Sequence, residues 1–117
     1  MRDHTKLKAF ELADALVLRV YAATRSFPKH ELFGLTSQMR RAAVSIPCNI
    51  VEGCARPTEA EFLRFLDIAY GSSRELEYQA SLARRLRYLD DSEFTDLEPA
   101  CVEVSKVVNG LIRALRK

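Results

Sequence analysis

The chain has 117 residues, of which 48% are hydrophobic and 29% are charged. This balance is typical of one folded domain and excludes an intrinsically disordered protein, so we expect a single domain over residues 1–117. The net charge of +2 neither requires nor excludes a nucleic-acid partner. There is no apolar run of about 18 residues and no secretory signal pattern, which predicts a cytoplasmic protein without a membrane span.

Two helices are predicted in the first half of the chain. The first covers about residues 5–24, where apolar side chains recur at helical spacing. The second begins after Gly34, with Thr36 or Ser37 as its N-cap, and continues to about Ala55. Its predicted apolar stripe consists of Met39, Ala42, Ile46 and Ile50.

Two further helices are predicted in the second half. The third opens on Thr58 and Glu61, which have the spacing of a capping box, and runs to Tyr88–Leu89. Its core-facing residues are Phe62, Leu66, Ala69, Ser73, Leu76, Ala80 and Ala83. The fourth helix begins with Ser92 as its N-cap. Its heptad seam consists of Phe94, Leu97, Cys101, Val104, Val108, Leu111 and Leu115.

The four predicted helices are joined by short connections, and no segment alternates apolar and polar residues as a half-buried strand does. Short connections place successive helices side by side and antiparallel. We therefore predict an all-α fold, an antiparallel up-down-up-down four-helix bundle.

The second predicted helix carries a proline, Pro47, in its interior. Proline has no N–H, so the carbonyl of Ala43 loses its helical hydrogen bond and needs another partner or water. Four polar residues at helical spacing share one face of this helix: Ser45, Asn49, Glu52 and Arg56. We interpret this face as a hydrogen-bonded seam that fixes the register between the second and third helices. A polar functional site is the alternative.

The turn between the second and third helices makes them antiparallel. Because both rise equally per residue, positions whose numbers sum to about 113 should lie side by side. This register predicts Asn49 near Arg64, and Arg41 near Ser72 and Glu75.

Three stretches of the sequence carry a family resemblance. They are LTSQMRRAAVSIPCNIVEG at residues 35–53, RPTEAEFLRFL at 56–66 and IAYGSSREL at 68–76. Together they resemble the four-helix-bundle family encoded in 23S ribosomal-RNA intervening sequences, which is sometimes labelled a ribosomal protein. One departure is Val51, where the family more often has alanine. The matching signature positions are Gln38, Arg40, Arg41, Ser45, Pro47, Asn49, Glu52, Gly53, Gly71, Ser72, Glu75 and Leu76.

The resemblance implies an antiparallel four-helix bundle and a homopentamer. It extends to accessory proteins of diversity-generating retroelements, which are pentameric and bind nucleic acid. No activity is established for the family proper, so the resemblance leaves the function unknown. We interpret the following signature residues as structural: Ser45, Pro47, Asn49, Glu52, Gly53, Gly71, Ser72 and Glu75.

An enzyme needs a poised acid, base, nucleophile or metal, and the sequence has no motif for one. It contains no Glu-x-x-His pair of a di-iron bundle, no glycine-rich phosphate loop and no nucleophile elbow. Glu52 and Glu75 are candidates for buried carboxylates, although paired structural carboxylates are the commoner case. Cys48, Cys54 and Cys101 form no C-x-x-C pair and are interpreted as reduced thiols. We expect no enzyme activity, no cofactor and no metal site.

Basic residues collect at the predicted end of the bundle that carries both chain termini. In an oligomer this excess repeats around one rim and forms a multivalent anion-binding surface. The candidate nucleic-acid-binding residues are Arg113, Arg116 and Lys117, followed by Arg40 and Arg41, where a role in the seam competes.

Surplus apolar residues predict self-association. A helix of a lone four-helix bundle needs one apolar stripe, yet the third helix is apolar around most of its first half. The first helix likewise has a wide apolar face that includes Leu12, Leu16 and Leu18. The leading hypothesis is a non-enzymatic homo-oligomer that binds RNA or a nucleic-acid–protein complex. A protein-binding or structural scaffold without a nucleic-acid role is the alternative.

Overall fold

A computed structural model describes residues 2–116 of the chain. These residues form four α-helices: α1 at Lys8–Thr24, α2 at Leu35–Cys54, α3 at Glu59–Arg85 and α4 at Asp91–Leu115. Short 3-10 helices at His4–Lys6 and Lys29–Glu31 flank α1. Within residues 2–116 there is no strand, and no helix is long and apolar enough to cross a bilayer. The predicted all-α fold is confirmed.

Contacts between α2 and α3 pair early residues of one helix with late residues of the other. The hydroxyl oxygens of Ser45 and Ser72 are 2.9 Å apart. Closer to the connecting turn, Gly53 lies directly against Phe62. The two helices are therefore antiparallel.

The same pattern joins α3 to α4. Arg116 binds Asp67 at one end of the pair, and Arg84 binds Asp91 at the other. α1 packs on both α2 and α4, which closes the four helices into a bundle.

The core lies along the inner stripes of the helices. Every residue of the predicted α2 and α3 stripes is buried. The α4 seam is buried as far as Val108, but Leu111 and Leu115 are half-buried and Ile112 is buried instead. An α-helix drifts by about 20° per heptad relative to a strict seven-residue repeat, so the seam leaves the core at its end.

α1 begins later than predicted, at Lys8. The Asp3 carboxylate accepts from the Thr5 backbone N–H at 3.0 Å and caps a 3-10 turn over residues 4–6. This local hydrogen bond competes with the α-helical arrangement in the same residues.

The N-terminal end of α2 also differs from the prediction. Gly34 occupies the N-cap position, and the Glu31 carboxylate accepts from the Leu35 N–H at 3.0 Å. Neither Thr36 nor Ser37 is the cap, because both lie inside the helix and the Thr36 side chain is buried in the core. A carboxylate from the preceding loop satisfies the helix end instead.

The connection between α3 and α4 departs from the prediction twice. α3 ends before the predicted Tyr88–Leu89, because Arg87 adopts a left-handed conformation with φ of 63°. α4 is capped by Asp90 rather than Ser92. The Asp90 side chain accepts from the Glu93 N–H at 2.7 Å, and the Glu93 carboxylate accepts from the Asp90 N–H at 2.9 Å, which completes a capping box.

The N-terminal segment is fastened to the end of α2. The Arg2 N–H donates to the Cys54 carbonyl at 3.2 Å. The Arg2 guanidinium also stacks 4.3 Å from the centroid of the Phe62 ring on α3. These contacts satisfy one of the free carbonyls at the C-terminus of α2.

Candidate functional site

Hydrogen bonds between polar side chains join α2 to α3 in the middle of the bundle. Asn49 Nδ2 donates to the Ser45 backbone carbonyl at 2.7 Å and lies 3.0 Å from Ser45 Oγ. Ser45 Oγ in turn lies 2.9 Å from Ser72 Oγ. All three side chains are half-buried, so these bonds are partly shielded from water and link the helices in one register.

Pro47 is buried within the same stretch, and α2 continues through it as one helix. The Asn49 amide bonds the Ser45 carbonyl rather than the Ala43 carbonyl that Pro47 leaves free. Within residues 2–116 no side chain of this face donates to the Ala43 carbonyl, so the face does not supply the partner that this carbonyl lost. The face instead makes the contact with Ser72.

Gly53 marks the closest approach of α2 and α3. A Cβ atom at this position would lie 2.9 Å from Phe65 Cβ and 3.1 Å from Phe62 Cδ1. Real Cβ atoms do not come that close, so only glycine lets the two helices meet here.

A polar groove of about 290 Å³ opens beside these hydrogen bonds, between α2 and α3. Its walls are formed by Gln38, Arg41, Ala42, Ser45, Ser72 and Glu75. The groove brings Arg41 together with Ser72 and Glu75, in agreement with the predicted register. We call it the polar groove below.

The two signature carboxylates are not buried. Glu75 is exposed on the rim of the polar groove. Glu52 is also exposed, and its carboxylate lies 3.4 Å from the Arg56 guanidinium in an i,i+4 ion pair. The interpretation of Glu52 and Glu75 as buried acids is therefore wrong, because both side chains project into solvent.

The candidate nucleic-acid-binding residues near the C-terminus separate into two kinds. Arg116 is held by two hydrogen bonds to the Asp67 carboxylate, at 2.7 and 3.3 Å. This hydrogen bonding raises the pKa of the Arg116 guanidinium, and its charge is already matched by a carboxylate. Arg113 is exposed and belongs to none of the ion pairs found in residues 2–116. Lys117 lies outside the described residues.

Arg40 and Arg41 point to different surroundings although they are adjacent in sequence. Arg40 Nε donates to Thr24 Oγ1 at 2.9 Å, and its guanidinium stacks 4.6 Å from the centroid of the Tyr21 ring. Arg40 therefore joins α2 to α1. Arg41 is exposed in the polar groove and is the more available cation.

Sequence reasoning missed an apolar groove of about 410 Å³ between α1 and α2. Its walls are formed by Phe10, Asp14, Val17, Val44, Pro47, Cys48, Val51 and Glu52. The available signal was a second set of apolar residues on each helix, outside the core stripe. We call it the apolar groove below.

A second missed feature ties the α1–α2 loop to the α3–α4 loop. The Tyr88 hydroxyl donates to the Glu31 carboxylate at 2.8 Å, and the Tyr88 ring packs against Phe27. Hydrogen bonds from the Leu35 N–H and from Tyr88 lower the pKa of Glu31. The contact stabilises the end of the bundle opposite the termini.

The thiols differ in accessibility. Cys48 is exposed in the apolar groove, while Cys54 and Cys101 are buried. Burial raises the pKa of Cys54, and it raises that of Cys101 to about 12. Within residues 2–116 no three His, Cys, Asp or Glu side chains are grouped as metal ligands would be.

Comparisons with known proteins agree with this architecture. The family model described as 23S rRNA-intervening sequence protein matches residues 5–110. Among solved structures, the chain is similar to a protein of unknown function from the S23 ribosomal protein family of Bacteroides thetaiotaomicron VPI-5482. That likeness has a TM-score of 0.80 at 22% identity and covers 89% of this chain and 97% of the other. At this identity it shows the fold alone. No curated protein matches the sequence.

Proposed function

Because the chain belongs to the 23S rRNA-intervening sequence protein family, we propose that it is a non-enzymatic, oligomeric module that binds RNA through phosphate contacts. The observation that carries the proposal is a group of exposed cations near the end of the bundle with both termini. Lys6, Lys8 and Arg113 are exposed, and none of them belongs to the ion pairs found in residues 2–116. Free cations of this kind recruit phosphate without reading sequence.

Oligomerisation supplies the strength that one subunit lacks. A net charge of +2 per chain gives little attraction alone, but a ring repeats the same cations around one rim. The proposed subunit count, a pentamer, rests on the family resemblance. Light scattering after gel filtration measures it. A mass other than that of a pentamer refutes the count, and a monomer at micromolar concentration refutes the oligomer.

Fluorescence anisotropy with labelled ribosomal-RNA fragments and an unrelated RNA tests the RNA proposal. We expect binding with weak sequence preference. If about five phosphates are contacted, affinity should fall roughly 10²-fold for a fourfold rise in salt. The absence of binding at low salt contradicts the proposal.

A matched pair of variants tests where RNA binds. The double variant Lys8→Glu/Arg113→Glu reverses two cations at the end with the termini. The control Arg25→Glu/Lys29→Glu makes the same change of charge at the opposite end, where both residues are also exposed. We expect the first pair to weaken binding and the control to retain it. An equal loss of RNA affinity in both double variants would mean that RNA does not bind preferentially at the end with the termini.

A protein-binding scaffold without RNA is the second candidate, and the apolar groove favours it. Its wall residues are mostly apolar, which suits a protein surface better than a phosphate backbone. RNA binding that is absent at low salt, together with a stable oligomer, would select this candidate.

A further inference from the structure

The outer side of α3 leaves apolar residues uncovered. The residues Arg64, Ile68, Gly71, Glu75 and Tyr78 recur at helical spacing on one face, and all of them are exposed. We call this set the outer face of α3. Ile68 is 45% exposed and Tyr78 is 60% exposed. The surface between them has no cover within the described chain.

Gly71 stands at the centre of this face. Glycine is the least favourable residue inside a helix apart from proline, so it usually has a local reason. At Gly53 the reason is the crowding by Phe65. At Gly71 an added Cβ would meet nothing within 4 Å beyond the adjacent residues and backbone of its own helix, so contacts between the helices of one chain do not require a glycine there. A missing side chain on an exposed helix lets another backbone approach closely.

The apolar groove complements the outer face of α3 in its apolar surface and in its charge. Phe10, Val17 and Val51 offer an apolar floor, and the exposed carboxylate of Asp14 lies among them. On the outer face of α3, Arg64 is an exposed cation. Neither Asp14 nor Arg64 belongs to an ion pair within residues 2–116. Opposite charges beside apolar surfaces favour one docking orientation.

We propose that the apolar groove of one subunit receives the outer face of α3 of a second copy, with Gly71 at the closest approach and Arg64 beside Asp14. In this arrangement each subunit offers its apolar groove to one neighbour and its outer face of α3 to another, so the contact is heterologous and propagates from subunit to subunit. Such contacts close into rings when the rotation allows it. This inference deepens the oligomeric part of the proposed function and rests on it, but it does not depend on RNA binding.

The decisive variant is Gly71→Gln. Glutamine is a good helix former and finds open space in the single chain, so the monomer should fold at least as well as the wild type. It should nevertheless block the close approach, and light scattering should show loss of the oligomer. The control is Gly110→Gln, at an exposed glycine of α4 whose Cβ would also meet nothing within 4 Å. The control should retain the wild-type mass.

A charge exchange tests the pairing itself. Asp14→Arg and Arg64→Glu should each weaken association at least about tenfold, because each places like charges together. The double variant should recover most of that loss. Recovery is expected only if the two positions face each other across subunits, and its absence overturns the proposed orientation.

Cys48 reports directly on whether the groove is covered. Its thiol should react with iodoacetamide at least about tenfold more slowly in the wild-type oligomer than in the Gly71→Gln monomer. Mass spectrometry of the Cys48 peptide measures the rate. Equal rates, or a Gly71→Gln protein that keeps the wild-type mass, would overturn the proposal.

These outcomes are distinguishable from failure of the proposed function. If the wild-type protein is a monomer, the proposed oligomer and this interface are both refuted, and anisotropy still tests RNA binding separately. If the protein is an oligomer but its Cys48 thiol reacts with iodoacetamide as fast as in the monomer, only this interface is refuted. If the oligomer passes these tests but binds no RNA, the interface is supported and the proposed RNA binding is refuted.

Discussion

The two sides of α2 differ in how tightly they pack against the neighbouring helices. Towards α3 the helix is closed from Ser45 to Gly53, beyond the polar groove, since Gly53 admits the phenylalanines of α3 and Ser45 bonds Ser72 at 2.9 Å. Towards α1 it leaves the apolar groove of about 410 Å³, with Val51 37% exposed. One helix therefore supplies both a tight intramolecular contact and an incomplete surface.

The difference shows how to separate structural from functional residues. On the closed side Ser45, Asn49 and Ser72 are joined by hydrogen bonds within the chain, so these residues account for the fold and its register. On the open side apolar residues of the groove walls pack against the core on one side and leave part of their surface uncovered. Substitutions on the closed side should change the free energy of unfolding, and those on the open side should change association.

The largest effect is expected at Gly53. Gly53→Val forces a branched side chain against Phe65 and should lower the free energy of unfolding by about 3 kcal/mol. Chemical denaturation measures it. The control Gly110→Val introduces the same residue where the Cβ meets nothing and should change stability by no more than about 0.5 kcal/mol. A Gly53→Val protein as stable as the control would mean that the helices separate without cost.

Asn49→Ala should have the next largest effect. It removes the hydrogen bonds to the Ser45 carbonyl and hydroxyl, and we expect a loss of about 1–2 kcal/mol in the free energy of unfolding. Gln38→Ala, at an exposed residue of the neighbouring polar groove, is the control. A loss below a few tenths of a kcal/mol would remove the seam as a stabilising feature.

Glu31, in the loop before α2, accepts hydrogen bonds from the Leu35 N–H and the Tyr88 hydroxyl, and the stability that these bonds supply should depend on pH. The hydrogen bonds from the Leu35 N–H and Tyr88 lower the folded-state pKa of Glu31 below its unfolded value. Its contribution is therefore present above the unfolded pKa and is lost as the pH falls through the folded pKa.

Denaturation midpoints between pH 5 and about pH 3 measure this loss. Glu31→Gln should reduce the slope. Some slope should remain, because hydrogen bonds with Thr5 also lower the pKa of Asp3. An unchanged slope in Glu31→Gln would show that the carboxylate does not stabilise the loop.

The smallest effect on stability is expected on the open side, at Cys48. Cys48→Ser alters an exposed side chain and should change the free energy of unfolding by less than about 0.5 kcal/mol. The corresponding change at Cys101 should cost more, because that thiol is buried in the core. Chemical denaturation of both variants measures the difference. Similar losses in the free energy of unfolding would contradict the assignment of Cys48 to the open side and of Cys101 to the core.

Most of the fold follows from patterns that are local in sequence. The α3 stripe from Phe62 to Ala83 was predictable because each member is a small or apolar residue at helical spacing, and all are buried. The N-caps were harder, because several adjacent residues can supply an oxygen. Ser92 has the right chemistry for a cap, but Asp90 and Glu93 bond each other's backbone N–H groups and begin α4 earlier.

The candidate site was less predictable, since it depends on which residues distant in sequence become neighbours. Arg116 was indistinguishable from Arg113 in sequence. Both are exposed, but the register between α3 and α4 places Asp67 against Arg116 and gives Arg113 no ion pair within residues 2–116. The apolar groove likewise needs α1 and α2 side by side before its walls meet.

The fastening of Arg2 has a consequence for the order in which a growing chain folds. Arg2 is synthesised before Cys54 and Phe62, yet it contacts both. During translation the segment around Arg2 must therefore remain undocked until the start of α3 has left the ribosome. The carbonyl at the C-terminus of α2 gains its hydrogen bond from Arg2 only after that later segment has folded.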